Sequence, residues 1–267
     1  MAELTSQTPV QIMLYADDII LVSESQEGLQ LHLQALDDFC TQRGLTVNLG
    51  KTKAMIFHTS GRIRRQTTLT ITGGQIEVVD SYVYLGITFA SNAGRFSMAR
   101  AAGDRLTRGY AALAMLERQC HQAHFQEPRT KGWLFDTLVT PALMYAAAVW
   151  APGLGASTWA QIERPQVLML SRMIRSKPSV PHDIVRAEFA APPMLVEALF
   201  QVCCFIHRMR DMAPDRLSRR AFEASKQLAE AGDTSSWYAQ MIQLLTRCGW
   251  DIDHLPPLQY DIDAPRI

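Results

Sequence analysis

The chain has 267 residues, of which 48 % are hydrophobic, and its 26 basic side chains balance 26 acidic ones. This length and apolar content predict a soluble, folded chain with room for two modest domains. Because phosphate neutralisation drives nucleic-acid affinity, the zero net charge argues weakly against strong autonomous binding to nucleic acid.

The first predicted element is an antiparallel hairpin with the sequence Tyr-Ala-Asp-Asp at residues 15–18. Apolar runs at 10–14 and 19–22 flank this short polar turn, as in tight hairpins. Burial of both arms would place Asp17 and Asp18 together at the tip, where a divalent cation relieves their repulsion. Mg²⁺ is suited to such a pair, because it keeps few protein carboxylates and recruits substrate phosphates. The alternative is a surface turn with two solvated aspartates, and the tetrapeptide alone does not decide between them.

A helix is predicted from Ser23 to Arg43, because leucines recur at three- and four-residue spacing. Ser23 with Gln26 has the pattern of a capping box, and Gly44 is a helix-ending glycine. A turn at 49–52 follows. Strands are then predicted at 53–57, at 69–71 and 76–79 around Gly73-Gly74, and at 82–89.

From Arg95 onward the pattern becomes helical. Helices are predicted through Glu117, from 127 to 149, from 157 to 175, and in several pieces after Pro181. The uncharged stretch 137–154 is long enough to span a membrane, but its prolines and small residues favour a buried helix. Pro165 falls inside the third helix, which costs about 3 kcal/mol unless the helix kinks or starts there.

Several short motifs occur in a fixed order behind the hairpin. Residues 44–53 read Gly-Leu-Thr-Val-Asn-Leu-Gly-Lys-Thr-Lys, and 84–86 read Tyr-Leu-Gly. Residues 141–152 contain Pro-x-Leu-x-Tyr and a following tryptophan, and residues 162–166 contain Ile-Glu-Arg with a later glutamine. This order resembles the second half of the palm and the thumb of LINE-type (non-LTR) retrotransposon reverse transcriptases, over roughly residues 9–210. Ala146 and Ala148 depart from that family's usual Gly and Glu.

The resemblance implies an α+β fold, with a partial polymerase palm followed by an all-α thumb-like bundle. The expected domains are 1–92 (partial palm), 93–211 (thumb-like helices) and 212–267 (helical extension and irregular tail). In the complete enzyme it implies two-metal nucleotidyl transfer with Mg²⁺, an RNA template and a DNA primer. We expect a plausible hinge near residues 92–94 and a frayed amino terminus at residues 1–8.

The resemblance also assigns roles to single residues. Asp17 matches the family's metal-binding aspartate, Asp18 its less directly involved neighbour, and Tyr15 an aromatic residue near the primer end and incoming nucleotide. Lys51 is a candidate for protonating the pyrophosphate leaving group or holding its charge. Lys53 is its rival, and a solvated turn lysine is the structural alternative.

The Tyr-Leu-Gly segment matches the family's primer-grip strand, formed here by Tyr84, Leu85 and Gly86. Gly86 would permit close approach of the backbone to a ligand. Arginines provide candidate contacts to phosphate, with a solvated helix face as the alternative. They are a basic turn (Arg62, Arg64, Arg65) and residues of the first helical segment (Arg95, Arg100, Arg105, Arg108).

One expected part of the catalytic site is not found in the sequence. Two-metal polymerase chemistry needs a further carboxylate from an earlier palm strand and a fingers segment to cradle the nucleotide, and 14 residues precede Tyr15. Other acidic residues, Asp37, Asp38, Asp80, Asp251 and Asp253, fall on no strand expected beside the hairpin. We therefore predict that the chain alone is inactive as a polymerase.

Two interpretations stay open beside that of a reverse transcriptase fragment active only within a longer polyprotein. In one, the chain is a non-catalytic remnant that grips nucleic acid. In the other, it is a fragment with a structural or interaction role. A palm without its first half would leave an open sheet edge that invites pairing with another chain, such as the missing amino-terminal segment.

The cysteines and the amino terminus indicate the compartment. Five cysteines without paired spacing suit a reducing environment, and no basic–apolar signal pattern is found at Met1, so we expect an intracellular protein without a membrane anchor. Cys203, Cys204 and His207 approach a zinc-knuckle composition. Adjacent cysteines on one helix are poor tetrahedral ligands, however, so no zinc site is predicted there or at Cys120, His121 and His124.

Overall fold

The structure, a computed structural model, describes residues 11–57, 68–92 and 95–255. It separates into two compact units. Unit 1 takes in the described residues up to Val83 together with Ala90–Phe96, and unit 2 takes in Tyr84–Phe89 together with the described residues from Ser97 onward. The class is α+β, as predicted, with small sheets beside a helix-rich remainder.

Unit 1 contains two small sheets and one long helix. Strands β1 (Ile12–Tyr15) and β2 (Asp18–Leu21) form an antiparallel pair. Helix α1 spans Gln26–Arg43. A second sheet has the order β3-β5-β4, in which β3 (Lys53–Ala54) runs parallel to β5 (Gly74–Val78), and β4 (Leu69–Ile71) runs antiparallel to β5. The predicted strand 53–57 is therefore shorter than expected.

Helix α1 begins later than predicted. Its N-cap is Ser25, whose hydroxyl accepts a hydrogen bond from the Gly28 amide, so the capping pair Ser23 and Gln26 was wrong. Gly44 ends the helix as predicted, in the left-handed conformation at φ 67°.

The core of unit 1 lies between α1 and the β3-β5-β4 sheet. Leu33, Ala54, Leu69, Ile71 and Ile76 are buried there. The core is supported by polar contacts from the helix to the sheet. The Gln30 amide both donates to and accepts from the backbone of Thr70, at 2.8 and 2.9 Å. The Asp37 carboxylate accepts from the amide and hydroxyl of Thr72, at the tip of the β4–β5 turn.

The arms of the β1–β2 hairpin are exposed, contrary to the prediction. Leu14 is 67 % exposed, and Ile12 and Ile19 are also open to solvent. Within the described ranges these two strands pair only with each other. Of the residues in these two strands, Leu21 packs against the core of unit 1. Since no third strand from the described residues pairs with the hairpin, the side chains of Ile12, Leu14 and Ile19 stay open to solvent.

Three further strands follow, β6 (Ser81–Tyr84), β7 (Ile87–Asn92) and β8 (Arg95–Ser97), in the order β6-β7-β8. The chain passes between the two units within this segment. The single strand predicted at 82–89 was wrong, because Leu85 and Gly86 form a two-residue turn with φ values of 46° and 78°. Two successive left-handed residues are typical of type I′ hairpins.

The described part of unit 2 is mainly helical. Its helices are α2 (Ala99–Gln122), α3 (Pro128–Leu134), a π-helical turn (Phe135–Val139), α4 (Thr140–Met144), α5 (Ala147–Trp150), α6 (Ala156–Ile162), α7 (Arg164–Ile174), α8 (His182–Glu188), α9 (Met194–Asp211), α10 (Leu217–Glu230) and α11 (Trp237–Arg247), followed by a 3-10 turn (Ile252–His254).

The helices predicted at 127–149 and 157–175 are each divided. In the first, a π-helical turn precedes Pro141, which lacks an amide proton, and Ala146 then takes a left-handed φ of 54°. The second ends at Ile162 and restarts at Arg164, which places Pro165 in the first turn of α7. A proline is tolerated in that turn, so the expected cost does not arise.

The core of unit 2 is built around the uncharged stretch 137–154. Val139, Leu143, Met144, Ala147 and Trp150 in this stretch are completely buried, as predicted for an interior helix. A second cluster joins α9, α10 and α11. In the portion of the chain that the structure describes, no helix has the length and apolar character needed to cross a membrane.

Candidate functional site

The β1–β2 hairpin places two aspartates at an exposed tip. Its register pairs Leu14 with Ile19 and Tyr15 with Asp18, which leaves Ala16 and Asp17 as the two-residue loop. Ala16 has a φ of 53°, a left-handed conformation that costs a non-glycine residue about 1 kcal/mol. Because directly paired residues share one face of a hairpin, Tyr15 and Asp18 project from the same side, with Asp17 next to them at the tip.

The chemistry of this tip suits the magnesium ligands predicted from the sequence. Mg²⁺ is commonly bound through one or two carboxylates together with substrate phosphates, so Asp17 and Asp18 suit it as ligands. A search of residues 11–57, 68–92 and 95–255 finds no group of three or more His, Cys, Asp or Glu side chains placed to hold a metal ion. The described residues therefore do not complete a two-metal site, and a third ligand would have to join the hairpin from outside them.

Three of the other acidic residues named from the sequence have structural partners, and one of them, Asp253, lies 3.5 Å from the guanidinium of Arg210. Asp37 holds the β4–β5 turn through Thr72. Asp251 accepts a bond from the Asp253 amide at the start of the 3-10 turn. The pKa of Asp251 is lowered chiefly by its hydrogen bond to His254.

The lysine motif forms a folded turn in unit 1. The side-chain oxygen of Asn48 accepts from the Lys51 amide at 3.2 Å, and its carbonyl accepts from the amide and hydroxyl of Thr52. The Tyr82 hydroxyl donates to the Lys51 carbonyl at 3.1 Å. These bonds explain why this motif contains asparagine and threonine at fixed distances from the lysine.

The two candidate lysines differ in their surroundings. The Lys53 ammonium lies 2.7 Å from the Glu77 carboxylate on the neighbouring strand β5. Lys51 is exposed, and in the described part of the chain no carboxylate forms an ion pair with it. Lys51 is thus the more available of the two for an anionic ligand.

The Leu85–Gly86 turn is held by side chains of unit 2. The Arg105 guanidinium donates to the Gly86 carbonyl, and the Tyr145 hydroxyl donates to the Leu85 carbonyl at 3.1 Å. The guanidinium carbon of Arg105 also lies 4.9 Å from the centre of the Tyr145 ring. Next to the turn, the Thr88 hydroxyl donates to Asp104.

Arg105 is not a surface residue, contrary to its predicted contact with phosphate. It is 5 % exposed, because its guanidinium is directed to the Gly86 carbonyl and stacks on a ring. Burial, followed by the nearby charge of Arg108, lowers the pKa of Arg105. Arg100 and Arg108 on the same helix are exposed.

The chain is similar to known proteins of retrotransposons. The reverse transcriptase (RNA-dependent DNA polymerase) family matches residues 1–89. A putative 115 kDa protein in the type-1 retrotransposable element R1DM of Drosophila melanogaster is 27 % identical over 147 residues, which cover 52 % of this chain and 14 % of that protein. The RNA-directed DNA polymerase from the mobile element jockey of Drosophila funebris is 24 % identical over 235 residues, 82 % of this chain and 24 % of that protein.

The chain is therefore similar to LINE-type reverse transcriptases, with the family match confined to residues 1–89. A putative transposon-derived protein of Caenorhabditis elegans is also similar, with 26 % identity over 136 residues, 51 % of this chain and 47 % of that protein. The chain thus spans less than half the length of each of these relatives. No solved structure matches it.

Several predicted residues and segments lie outside the described ranges 11–57, 68–92 and 95–255. They are Arg62, Arg64 and Arg65, the amino-terminal segment 1–10, residues 93–94 of the expected hinge and the tail from 256. Sequence reasoning missed the role of Tyr145 at the Leu85–Gly86 turn. Its signal was the Pro-x-Leu-x-Tyr motif, which marks the residue but does not indicate its partner.

Proposed function

We propose that this chain supplies the catalytic hairpin, the lysine turn and the thumb of a LINE-type reverse transcriptase. The single observation that carries the proposal is the β1–β2 hairpin, which presents Asp17 and Asp18 together at an exposed tip. This hairpin lies within the residues that the reverse transcriptase family matches. The reaction would be RNA-directed DNA synthesis in the complete enzyme, with unit 1 acting as part of the palm and the helices of unit 2 as the thumb.

The proposed roles combine the resemblance with the position of each residue. Asp17 and Asp18 would hold the metal, and Tyr15, on the same face as Asp18, would contact the primer end or the nucleotide. Lys51, which is exposed, would act on the pyrophosphate leaving group. Mg²⁺, when bound, would orient the attacking and leaving oxygens and stabilise their charge. The remaining ligand and the fingers would come from residues that the structure does not describe or from a longer polypeptide.

A second candidate function is binding of an RNA–DNA hybrid without extension. It is favoured by the incomplete set of carboxylates around Asp17 in the described ranges. Filter binding of a hybrid to the chain separates the two candidates from a purely structural role, since backbone contacts give an affinity that falls steeply with salt. The chain tested alone is expected to show no primer extension.

The test of catalysis uses a chimeric protein, referred to as the hybrid enzyme. The aligned segment of the jockey polymerase is replaced by the matching part of this chain, 82 % of its length, and primer extension on an RNA template is measured with Mg²⁺. Asp17→Asn should reduce extension on the order of a hundredfold or more, since loss of even an outer partner of a metal site costs roughly 10- to 100-fold.

The matched control is Asp38→Asn, which changes an exposed aspartate on α1 and should leave extension unchanged. If the hybrid enzyme extends a primer equally well with Asp17→Asn and with Asp38→Asn, the hairpin is not its metal site and the proposal fails.

A further inference from the structure

We propose that Arg105 and Tyr145 are positioning residues that fix the Leu85–Gly86 turn, so that its exposed side binds the sugar–phosphate backbone of the primer strand. The proposal rests on the function proposed above and adds two residues to its primer-binding site. The residues that carry it, Leu85, Gly86, Arg105, Arg108 and Tyr145, all belong to unit 2.

The backbone conformation of this turn is unfavourable for the residues that form it. A type I′ turn requires positive φ at both central residues, and Asn-Gly or Asp-Gly are the usual choices. Here the first position is Leu85, at φ 46°, where a side chain with a Cβ atom costs about 1 kcal/mol or more. Such strain persists only where surrounding contacts determine the conformation.

Two side chains supply these contacts. The carbonyls of both turn residues are hydrogen-bonded, Leu85 to the Tyr145 hydroxyl and Gly86 to the Arg105 guanidinium. The guanidinium stacks on the Tyr145 ring, so each side chain also orients the other. A Cβ atom at Gly86 would lie 3.4 Å from that ring, which shows how closely the tyrosine covers the turn.

The arrangement requires a cation to be buried beside a neutral carbonyl. Burial of a guanidinium is costly unless its donors are satisfied, and within the described residues Arg105 forms no ion pair with a carboxylate. The β4–β5 turn shows a simpler solution, in which Thr72 and Gly73 take the same left-handed conformation and Thr72 is held by the Asp37 carboxylate, without a buried cation. The cost therefore indicates that the position of the turn matters for binding.

The outer side of the turn has the character of a nucleic-acid surface. Leu85 is 41 % exposed and Tyr145 is 48 % exposed, although the carbonyls of Leu85 and Gly86 are hydrogen-bonded. Arg108 lies three residues from Arg105 on α2, is exposed, and is close enough to lower the pKa of Arg105. An apolar and aromatic surface beside an exposed arginine suits sugar and phosphate contacts, which position a strand without reading its sequence.

The experiment compares two tyrosine variants of the full chain. Tyr145→Phe removes the hydroxyl that holds the Leu85 carbonyl and keeps the ring. The control is Tyr110→Phe, which changes an exposed tyrosine on α2. Among the described residues, the turn carbonyls accept from Tyr145 and Arg105 and not from Tyr110. Binding of a DNA primer annealed to RNA is measured by fluorescence anisotropy at low salt, and thermal unfolding is followed in parallel.

We expect Tyr145→Phe to weaken binding about three- to tenfold, the effect of one hydrogen bond, with a melting temperature lowered by at most about 5 °C. Tyr110→Phe should bind like the parent. Arg105→Lys keeps the charge but not the planar stack on the ring, so its binding should also fall. Equal affinity of the two tyrosine variants, or a loss of affinity that accompanies a larger fall in melting temperature, would overturn the proposal.

The same variants separate this proposal from the catalytic one. In the hybrid enzyme, Tyr145→Phe should raise the KM for primer–template and leave the KM for the nucleotide unchanged. Anisotropy requires no catalysis, so an inactive hybrid enzyme would count against the proposed function alone. An active hybrid enzyme with an unchanged KM for primer–template would count against the positioning role alone.

Discussion

The carboxylate of Glu163 lies 2.6 Å from the guanidinium of Arg186, and both side chains are nearly buried. The same carboxylate accepts hydrogen bonds from the amides of Met194 and Leu195, each at 3.0 Å, and so caps the first turn of α9. Gln166 accepts from Arg186 at 3.1 Å and extends the network. The motif at 162–166 therefore joins α7, α8 and α9, which is a structural reason for its glutamate and glutamine.

Replacement of Glu163 by alanine should destabilise unit 2 strongly. It leaves Arg186 with the exposed Asp183, 3.3 Å away, as its ionic partner, and the first amides of α9 without an acceptor. Removal of one partner of a buried pair costs about 3–5 kcal/mol, and the contact with Asp183 places the expected loss at the lower end of that range. The five tryptophans of the chain, Trp133, Trp150, Trp159, Trp237 and Trp250, all lie in unit 2, so tryptophan fluorescence in urea reports on this unit.

The control for this prediction is Glu230→Ala. Its partner Lys226 is 3.9 Å away on the exposed side of α10, so the change should cost less than about 1 kcal/mol. Similar urea midpoints for the two variants would contradict a structural role of the Glu163 network.

Two glycines of α2 should respond in opposite directions to alanine. Gly103 has no atom within 4 Å of an added Cβ, so Gly103→Ala should stabilise the helix by up to about 1 kcal/mol. At Gly109 an added Cβ would lie 2.8 Å from Cδ1 and 3.2 Å from Cβ of Leu143, which is completely buried. Because Leu143 has no free space to move into, Gly109→Ala should lower stability by about 1–3 kcal/mol.

The measurement is the melting temperature followed by circular dichroism. Both variants replace a glycine of the same helix by alanine, so helix propensity alone would raise both melting temperatures. An increase for Gly109→Ala equal to that for Gly103→Ala would show that the contact between α2 and α4 adjusts freely.

The local patterns predicted much of the fold. Apolar arms around a polar turn gave the β1–β2 hairpin, and leucine spacing with Gly44 gave α1. The exposure of the arms was not predictable, because an apolar strand pattern indicates what a face requires and not whether a partner is present. The turn at Leu85–Gly86 was missed because leucine is not a turn residue, and its conformation depends on contacts remote in sequence.

Contacts distant in sequence also explain the remaining errors about the site. The helical pattern of α2 cannot tell whether Arg105 extends into solvent or folds back to a carbonyl 19 residues earlier. Similarly, Ala146 favours a helix by propensity, yet it takes a left-handed conformation between α4 and α5. In the same region, the indole of Trp150 donates to the Tyr145 carbonyl. Tertiary hydrogen bonds decide these positions.

The stability of unit 2 should fall at alkaline pH through Cys203. Burial, and to a smaller extent the neighbouring Cys204, raises the pKa of the Cys203 thiol from 9.0 to about 11. Between these two values the unfolded chain releases this proton and the folded chain keeps it, so ionisation favours unfolding as the pH rises. The contribution lost above pH 11 is on the order of 2–3 kcal/mol.

Cys203→Ala should therefore flatten the decline of the urea midpoint between pH 9 and 11, although the midpoint at pH 8 falls because a buried side chain is shortened. Cys204→Ala is the control, because Cys204 is less buried and the rise that burial causes in the pKa of its thiol is opposed by the nearby charge of Arg208. If the urea midpoint of Cys203→Ala declines between pH 9 and 11 as steeply as that of the parent, this thiol does not link pH to stability.

Lys51, rather than Lys53, should act on the leaving group in the hybrid enzyme. Lys53 is paired with Glu77 at 2.7 Å, whereas Lys51 is exposed on a turn that its own backbone and Asn48 hold in place. A positioned general acid contributes roughly 100-fold or more. Lys51→Ala should lower kcat by about that factor, and Lys53→Ala should have a smaller effect.

Lys51→Arg then separates the two roles open to this side chain. Arginine keeps the positive charge but does not release a proton at any pH near neutrality. If Lys51 donates a proton to pyrophosphate, the arginine variant should be nearly as slow as Lys51→Ala. If it only holds negative charge, the arginine variant should recover most of the rate. A larger loss for Lys53→Ala than for Lys51→Ala would assign the role to the paired lysine instead, and would mean that its bond to Glu77 opens when the nucleotide binds.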